Sequence, residues 1–312
     1  MEMGLKPGTA EYSRHAEAEI AHYTRIFAES ASTHPTLVQP VPPSWTEAER
    51  RASDLVRRST GDDLNGHVTS RLRARSAVRM LSLGSGPGGI ELGFAAQAPS
   101  AEIVCLDFNP ALLEMGRERA TSKGLNVRFE QADLNGLSLE ENSFDFVFCH
   151  ASLHHVIELE RVSNEIRRCL RLGGELITVD VVTANGYRMW PETRQVVRDL
   201  WRTLPARFRV NHTAYGEVRL DDEIWESDTS QSGMECIRSQ EILDVLKQGF
   251  RVKEFVPYFS ICRRFIDTMY GPNYDLTKSL DRGLLEWIWE LDVHYITTGE
   301  LRPETFFGIY SV

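Results

Sequence analysis

The stretch Leu81-Ser82-Leu83-Gly84-Ser85-Gly86-Pro87-Gly88-Gly89 runs an apolar segment directly into alternating glycines. Only glycine lets the main chain turn sharply and lie against a ligand, because any Cβ would hold the two apart. The pattern therefore predicts a buried strand, a tight turn and a helix, with the turn itself as a binding surface. Alone it leaves the ligand open, since Gly84, Gly86 and Gly89 also satisfy G-x-G-x-x-G, the spacing of dinucleotide-binding turns.

The alternation continues downstream. Apolar runs at 77–83, 102–107, 126–131, 144–149 and 175–182 read as strands, and 88–97, 110–123 and 156–171 read as helices. That order predicts an α/β fold with a doubly wound parallel sheet. Asn109 is placed to cap a helix opening on Pro110, Gly124 to end it, and Gly173-Gly174 to end the 156–171 helix. Upstream, Ile20, Tyr23, Ile26 and Phe27 give helical spacing within 9–31, and a second helix is expected from Ser44 to Arg58 after the proline-rich break Pro35 to Pro43. Gly61 to Gly66 reads as a short loop, and the basic run Arg71 to Arg79 as a solvated approach to the first strand. Beyond Val182 the composition turns aromatic, with a helix expected at 239–249, a strand at 251–260, a helix at about 276–297 and a last strand at Phe306 to Ser311.

Composition narrows the partners. With 312 residues, 42% of them hydrophobic, the chain has enough apolar side chains for a substantial core. A net charge of −10 works against a nucleic-acid partner, which needs clustered Lys and Arg. Met1 to Ala21 has no apolar core of the kind a secretory leader or membrane span carries, so a cytoplasmic protein without a membrane partner is expected. Cys105, Cys149, Cys169, Cys236 and Cys262 are odd in number, scattered and set among apolar neighbours, and read as buried thiols.

In an open parallel sheet, ligands bind beyond the carboxyl ends of the strands. Four such ends stand out: the glycine turn, Asp107 after the second strand, Asp133 after the third, and Cys149-His150-Ala151-Ser152 after the fourth. Asp107 follows Gly84 by 23 residues, where a carboxylate can accept both hydroxyls of a ribose. Together with Asp107-Phe108-Asn109-Pro110 and Phe144-Asp145-Phe146-Val147-Phe148, this set resembles the class I S-adenosylmethionine-dependent methyltransferase family over about residues 76–182, and more loosely at the last two strands. The resemblance implies a Rossmann-like seven-stranded sheet whose final strand is antiparallel, with S-adenosylmethionine as cofactor. It implies that Gly84, Ser85, Gly86 and Gly88 wrap the methionine part, that Asp107 binds the ribose, and that Phe108 or Asn109 lies against adenine. Asp133 would accept from the adenine amino group beside the Leu134 backbone N–H, with His150 and Ala151 on the methionine side.

A competing nicotinamide-dependent oxidoreductase is suggested by Asp107 lying 18 residues past Gly89, but no second mononucleotide-binding half follows strand 175–182. A protein that binds the cofactor without transferring methyl, as a regulator or through other chemistry, is the remaining alternative. Methyl transfer asks little of side chains unless the acceptor must lose a proton; His150, His154 and His155 then offer a base, with His154 the chosen candidate. The H-x-x-x-H-H spacing raises a metal site, yet no carboxylate or cysteine stands at ligand spacing, and none is expected. Tyr23, Trp190, Tyr215, Trp225, Tyr258 and Tyr270 are candidate walls for an acceptor, and Arg188, Arg263 and Arg264 candidate anion contacts whose default is solvation. Asp221-Asp222-Glu223 reads as a solvated helix start. The expected division is an N-terminal helical cap (1–75), a cofactor-binding core (76–182) and covering segments plus two strands (183–312). The expected activity is methyl transfer to an oxygen or nitrogen atom of a small, specialised-metabolite-like acceptor.

Overall fold

The computed structural model describes residues 5–30, 41–212, 218–231 and 233–312. Five parallel strands form its centre: β1 (Arg79–Leu83), β2 (Glu102–Asp107), β3 (Val127–Gln131), β4 (Phe144–His150) and β5 (Leu170–Val181). A two-stranded ribbon, β6 (Val210–Asn211) and β7 (Arg219–Leu220), stands apart from the sheet. Then β8 (Arg251–Tyr258) and β9 (Thr305–Ser311) complete a seven-stranded sheet in the order β3-β2-β1-β4-β5-β9-β8, with β9 antiparallel to both neighbours. The chain thus has the α/β fold its alternation predicted, and the Rossmann-like sheet with an antiparallel last strand that the family resemblance implied.

The sheet is buried on both faces, as continuous apolar strands require. One face packs Met80, Ile103 and Phe148 with Phe94, Trp201 and Phe307; the other packs Leu81, Leu83 and Val147 with Ile166, Leu246 and Tyr310. Ten α-helices are found among the described residues: α1 (Ala10–Ser30), α2 (Pro43–Thr60), α3 (Leu64–Arg73), α4 (Gly89–Gln97), α5 (Pro110–Lys123), α6 (Leu159–Cys169), α7 (Pro191–Thr203), α8 (Ile242–Gly249), the short α9 (Arg263–Ile266) and α10 (Ser279–Thr298). The ends of α5 are chemically fixed. The Asn109 side chain accepts the N–H groups of Ala111 and Leu112, Pro110 starts the helix, and Gly124 ends it at φ 61°.

Three stretches depart from the sequence reading. Residues 64–73 form α3, because Asp63 caps the helix by accepting from Gly66 N and the helix buries His67, Val68 and Leu72; Arg71 leaves the solvated face to pair with Glu175 at 2.6 Å. The helix after β4 begins at Leu159 and stops at Cys169, so Gly173-Gly174 lie inside β5. There Gly173 takes φ 77° next to the irregular pairing between Phe144 and Phe146, and a Cβ on Gly174 would meet the Arg171 and Asp145 carbonyls at 2.9 and 3.0 Å. No helix starts at Asp221-Asp222-Glu223: Asp221 is buried and accepts from the Tyr270 hydroxyl, Asn211 Nδ2 and Arg219 Nε. On α10, Trp289 is buried and Trp287 exposed, as their i, i+2 spacing requires. No helix among the described residues is long and apolar enough to cross a membrane.

Candidate active site

A cavity of about 620 Å³ opens over the carboxyl ends of β1, β2, β4 and β5 and is roofed by α1. Its floor is the glycine turn. Gly84, Gly86 and Gly88 take φ of 67°, 54° and 68°, a region unfavourable to side chains. The Gly84 and Ser85 N–H groups both donate to the Leu106 carbonyl, which locks the turn against β2. A Cβ on Gly84 would stand 2.5 Å from Ser152 Cβ, whereas around Gly86 the nearest atoms, on Leu112 and Phe27, lie 3.9 Å from the Cβ position. The turn therefore presents bare backbone to the cavity.

Asp107 ends β2 beneath this turn. One carboxylate oxygen accepts from Gly86 N at 2.8 Å and the other from Asn109 N at 2.9 Å, leaving a further lone pair on each. Burial raises its pKa, while the Asn109 and Gly86 N–H bonds pull it back. Phe108 and Asn109 line the same wall; Asn109 Nδ2 also donates to the Ile20 carbonyl of α1. Asp133 and Leu134 lie at the next strand end, where both Asp133 oxygens accept the Tyr12 hydroxyl at 2.7 Å and one also accepts Asn135 N. His150 and Ala151 line the β4 end: His150 lies against Phe148, and Ala151 is held at φ 51° while its N–H donates to the Val179 carbonyl. The structure thus brings Gly84, Ser85, Gly86, Asp107, Phe108, Asn109, Asp133, Leu134, His150 and Ala151 to one cavity; Gly88 is buried behind it, its backbone packed on the Phe129 ring.

Above the floor runs a chain of alternating carboxylates and imidazoles. His154 Nδ1 lies 2.6 Å from Asp180, and its Nε2 lies 3.5 Å from Glu235 Oε1. His155 bridges Glu19 (2.6 Å) and Glu235 (3.6 Å), and the Tyr23 hydroxyl donates to Glu235 at 3.1 Å. Burial opposes a charge on His155, but Glu235 and Glu19 outweigh it and lift its pKa to about 9. Burial likewise opposes ionisation of Asp180 and Glu235, yet His154, with the Leu153 and Val181 N–H groups, holds Asp180 below the usual carboxylate range, and His154 and His155 together do the same for Glu235. His154 itself is buried, its ring oriented by Asp180, so it meets the cavity through one edge only.

The acceptor walls differ from those expected. Of the aromatic candidates, Tyr23 faces the cavity, while Trp190 donates to the Pro303 carbonyl under Arg302, Tyr270 donates to Asp221 and accepts Trp225 N–H, and Tyr258 packs on Phe259. Tyr215 lies outside the described residues. Tyr12, Trp45 and Tyr187, which no local spacing singles out, take their place. Arg263 and Arg264 are not solvated but buried: Arg264 pairs with Glu304 at 2.9 Å, and Arg263 reaches the cavity wall while donating to the Tyr187 hydroxyl and Thr305 Oγ1. Arg188 stays half-exposed, 3.7 Å from Asp228.

Residues 81–178 match the Methyltransferase domain family. Residues 81–178 thus carry a methyltransferase domain. Relatives of this methyltransferase domain include a demethylmenaquinone methyltransferase of Thermus thermophilus, 34% identical over 106 residues covering 34% of this chain and 48% of the relative. A sterol 4-C-methyltransferase of Caenorhabditis elegans is 29% identical over 126 residues, 40% of this chain and 37% of the relative. The chain spans about half the length of the curated relatives it matches, or less. The crystal structure of the cyclase SpnF shares the fold at a TM-score of 0.52 and 17% identity, covering 95% of each chain. The nicotinamide alternative gives way on two counts, the family match and an antiparallel β9 in place of a second mononucleotide-binding half.

Proposed function

We propose that this protein is an S-adenosylmethionine-dependent methyltransferase acting on a small molecule. The observation that carries the reading is the convergence of the glycine turn, Asp107 and the β4 end on one cavity whose far wall is a chain of acids and imidazoles. The residues fit the cofactor, since the bare backbone at Gly86 leaves room for close approach and Asp107 keeps acceptor capacity toward a diol. When bound, the cofactor supplies an activated methyl carbon, which an acceptor lone pair takes while the electrons of the S–C bond return to sulfur, giving S-adenosylhomocysteine.

In this reading Gly84, Ser85 and Gly86 hold the methionine part, with Gly88 shaping the turn, and Phe108 and Asn109 flank adenine. Asp133 and the Leu134 N–H mark the amino edge, with the Tyr12 hydroxyl giving up one Asp133 contact on binding. In the division 1–75, 76–182 and 183–312, α1 of the first part covers the core, and the third part supplies Tyr187, Glu235 and Arg263 to the same cavity. Glu235 and His154 stand where an acceptor proton would leave, while His155, with a pKa of about 9, already carries its proton at neutral pH. Such a base-rich wall serves an acceptor that must be deprotonated, which supports oxygen over nitrogen, whose amine needs no base. A carbon nucleophile is the second reading, favoured by the sterol 4-C-methyltransferase among the relatives. Screening hydroxylated small molecules and phenols for S-adenosylhomocysteine release, with the product's methyl position read by NMR, tests both. Release with no acceptor class, from protein that binds the cofactor, would overturn methyl transfer.

A further inference from the structure

The His154 imidazole lies between two carboxylates, Asp180 on Nδ1 and Glu235 facing Nε2. Asp180 accepts the N–H groups of Ser152, Leu153 and Val181 at 3.0, 2.8 and 2.8 Å, so its carboxylate is fixed before His154 meets it. His154 Nδ1 donates to that carboxylate at 2.6 Å, which leaves Nε2 as the free edge of the ring. Nε2 faces Glu235 Oε1 at 3.5 Å, too long for an N–H···O hydrogen bond. The same oxygen lies 3.5 Å from Cys236 Sγ, and all three atoms lie within 4.8 Å of one another. Two ligands of one tetrahedral zinc-type ion, at metal distances of about 2.0 Å for N or O and about 2.3 Å for S, stand about 3.3 to 3.5 Å apart.

A second observation is independent of these distances. Cys236 takes φ 52°, a left-handed backbone that side chains rarely adopt, and it is held there by the Gly186 N–H and the Ser239 hydroxyl on its carbonyl. In this conformation the thiol lies beside the carboxylate of the preceding residue.

We propose that His154 Nε2, Glu235 and Cys236 form a three-ligand site for a zinc-type divalent ion, with Asp180 orienting the imidazole and the fourth position open to the cavity. His154 and Glu235 line the cavity while Cys236 is fully buried behind them, the layout of a metal site with one exchangeable position. The sequence showed no carboxylate or thiol at ligand spacing because the fold imports Glu235 and Cys236 from the covering segment. With an ion in place His154 and Glu235 would be ligands and no longer bases, and an acceptor hydroxyl bound at the open position would release its proton to solvent near neutral pH. That role rests on the methyl-transfer reading; the binding of metal does not.

The test uses the full chain, stripped with chelator and titrated with Co²⁺ as probe, without cofactor or acceptor. One equivalent per chain with visible tetrahedral bands and a near-ultraviolet thiolate band is expected. Cys236→Ser should abolish the thiolate band and Asp180→Asn should weaken binding 10–100-fold, while Cys262→Ser, a thiol elsewhere in the core, keeps both. Thermal unfolding of each variant separates lost ligation from lost folding, and Glu235→Gln, at a half-exposed position, gives a milder second probe that should also weaken binding. Absence of Co²⁺ uptake, or a thiolate band surviving in Cys236→Ser, overturns the site. S-adenosylhomocysteine affinity measured on the stripped protein tells this failure apart from failure of the methyl-transfer reading.

Discussion

Asp107 serves the glycine turn before it serves any ligand, since its two oxygens each hold a backbone N–H. Asp107→Ala should weaken S-adenosylhomocysteine binding by about 1.5 to 3 kcal/mol, the cost of removing hydrogen bonds to a charged group, and calorimetry showing unchanged affinity would remove it from the site. Gly84→Ala meets a harder limit: φ 67° and a Cβ 2.5 Å from Ser152 Cβ together should cost about 1 to 3 kcal/mol of stability and abolish cofactor binding. A variant that melts at the parent temperature and binds normally would show that the turn relaxes. The floor residues were legible because strand, turn and acid are neighbours in sequence. Tyr12, Glu19, Glu235 and Tyr187 were not, since each comes from a segment whose local pattern says helix or loop and nothing about chemistry. His154 was legible as a candidate but not its surroundings, because Asp180 reaches it only through the pairing of β4 with β5.

At the scale of elements, the first turn of α4 carries an acid that the fold keeps dry. Glu91 is buried and accepts the Ser82 hydroxyl at 2.6 Å; burial lifts its pKa to about 7, with Asp107 adding to the rise. A carboxyl whose folded pKa exceeds its unfolded 4.5 contributes stability that is fully present below pH 4.5 and lost as pH rises through about 7. Glu91→Gln keeps the acceptor oxygen without the titration, so its stability relative to the parent should improve from pH 5 to pH 8 by up to about 3 kcal/mol. Denaturant melts at the two pH values check this, and parallel pH profiles for parent and variant would contradict a dry carboxyl. Helices and strands with strong periodicity were readable, as in α5, where cap, proline and terminal glycine all agree. The helix α3 was missed because its arginines masked a buried face of His67, Val68 and Leu72. Asp221 was misread because its partners Asn211 and Tyr270 arrive from the ribbon and from a loop.

For the whole molecule, α1 is the piece that makes the cavity a pocket. It ties Tyr12 to Asp133, the Ile20 carbonyl to Asn109 and Glu19 to His155, so one helix touches three strand ends. Cofactor binding should therefore slow amide exchange across residues 12–27 at least 10-fold while leaving α10 unchanged, as read by hydrogen-exchange mass spectrometry. Equal protection of both helices, or none in α1, would argue that the roof does not respond to the ligand. The sheet class was written in the alternation of 77–182, but which late segment closes it was not, because a strand inserted from far along the chain leaves no local trace. That insertion has a consequence for biosynthesis. Because β9 lies between β5 and β8, a nascent chain already extended past Tyr258 still carries a raw flank on β5, with unpaired amides and carbonyls that invite foreign strands. Until Phe306 and Phe307 emerge, that flank needs a chaperone's shelter or simply speed, and translation pauses over the α10 codons would be the costly ones.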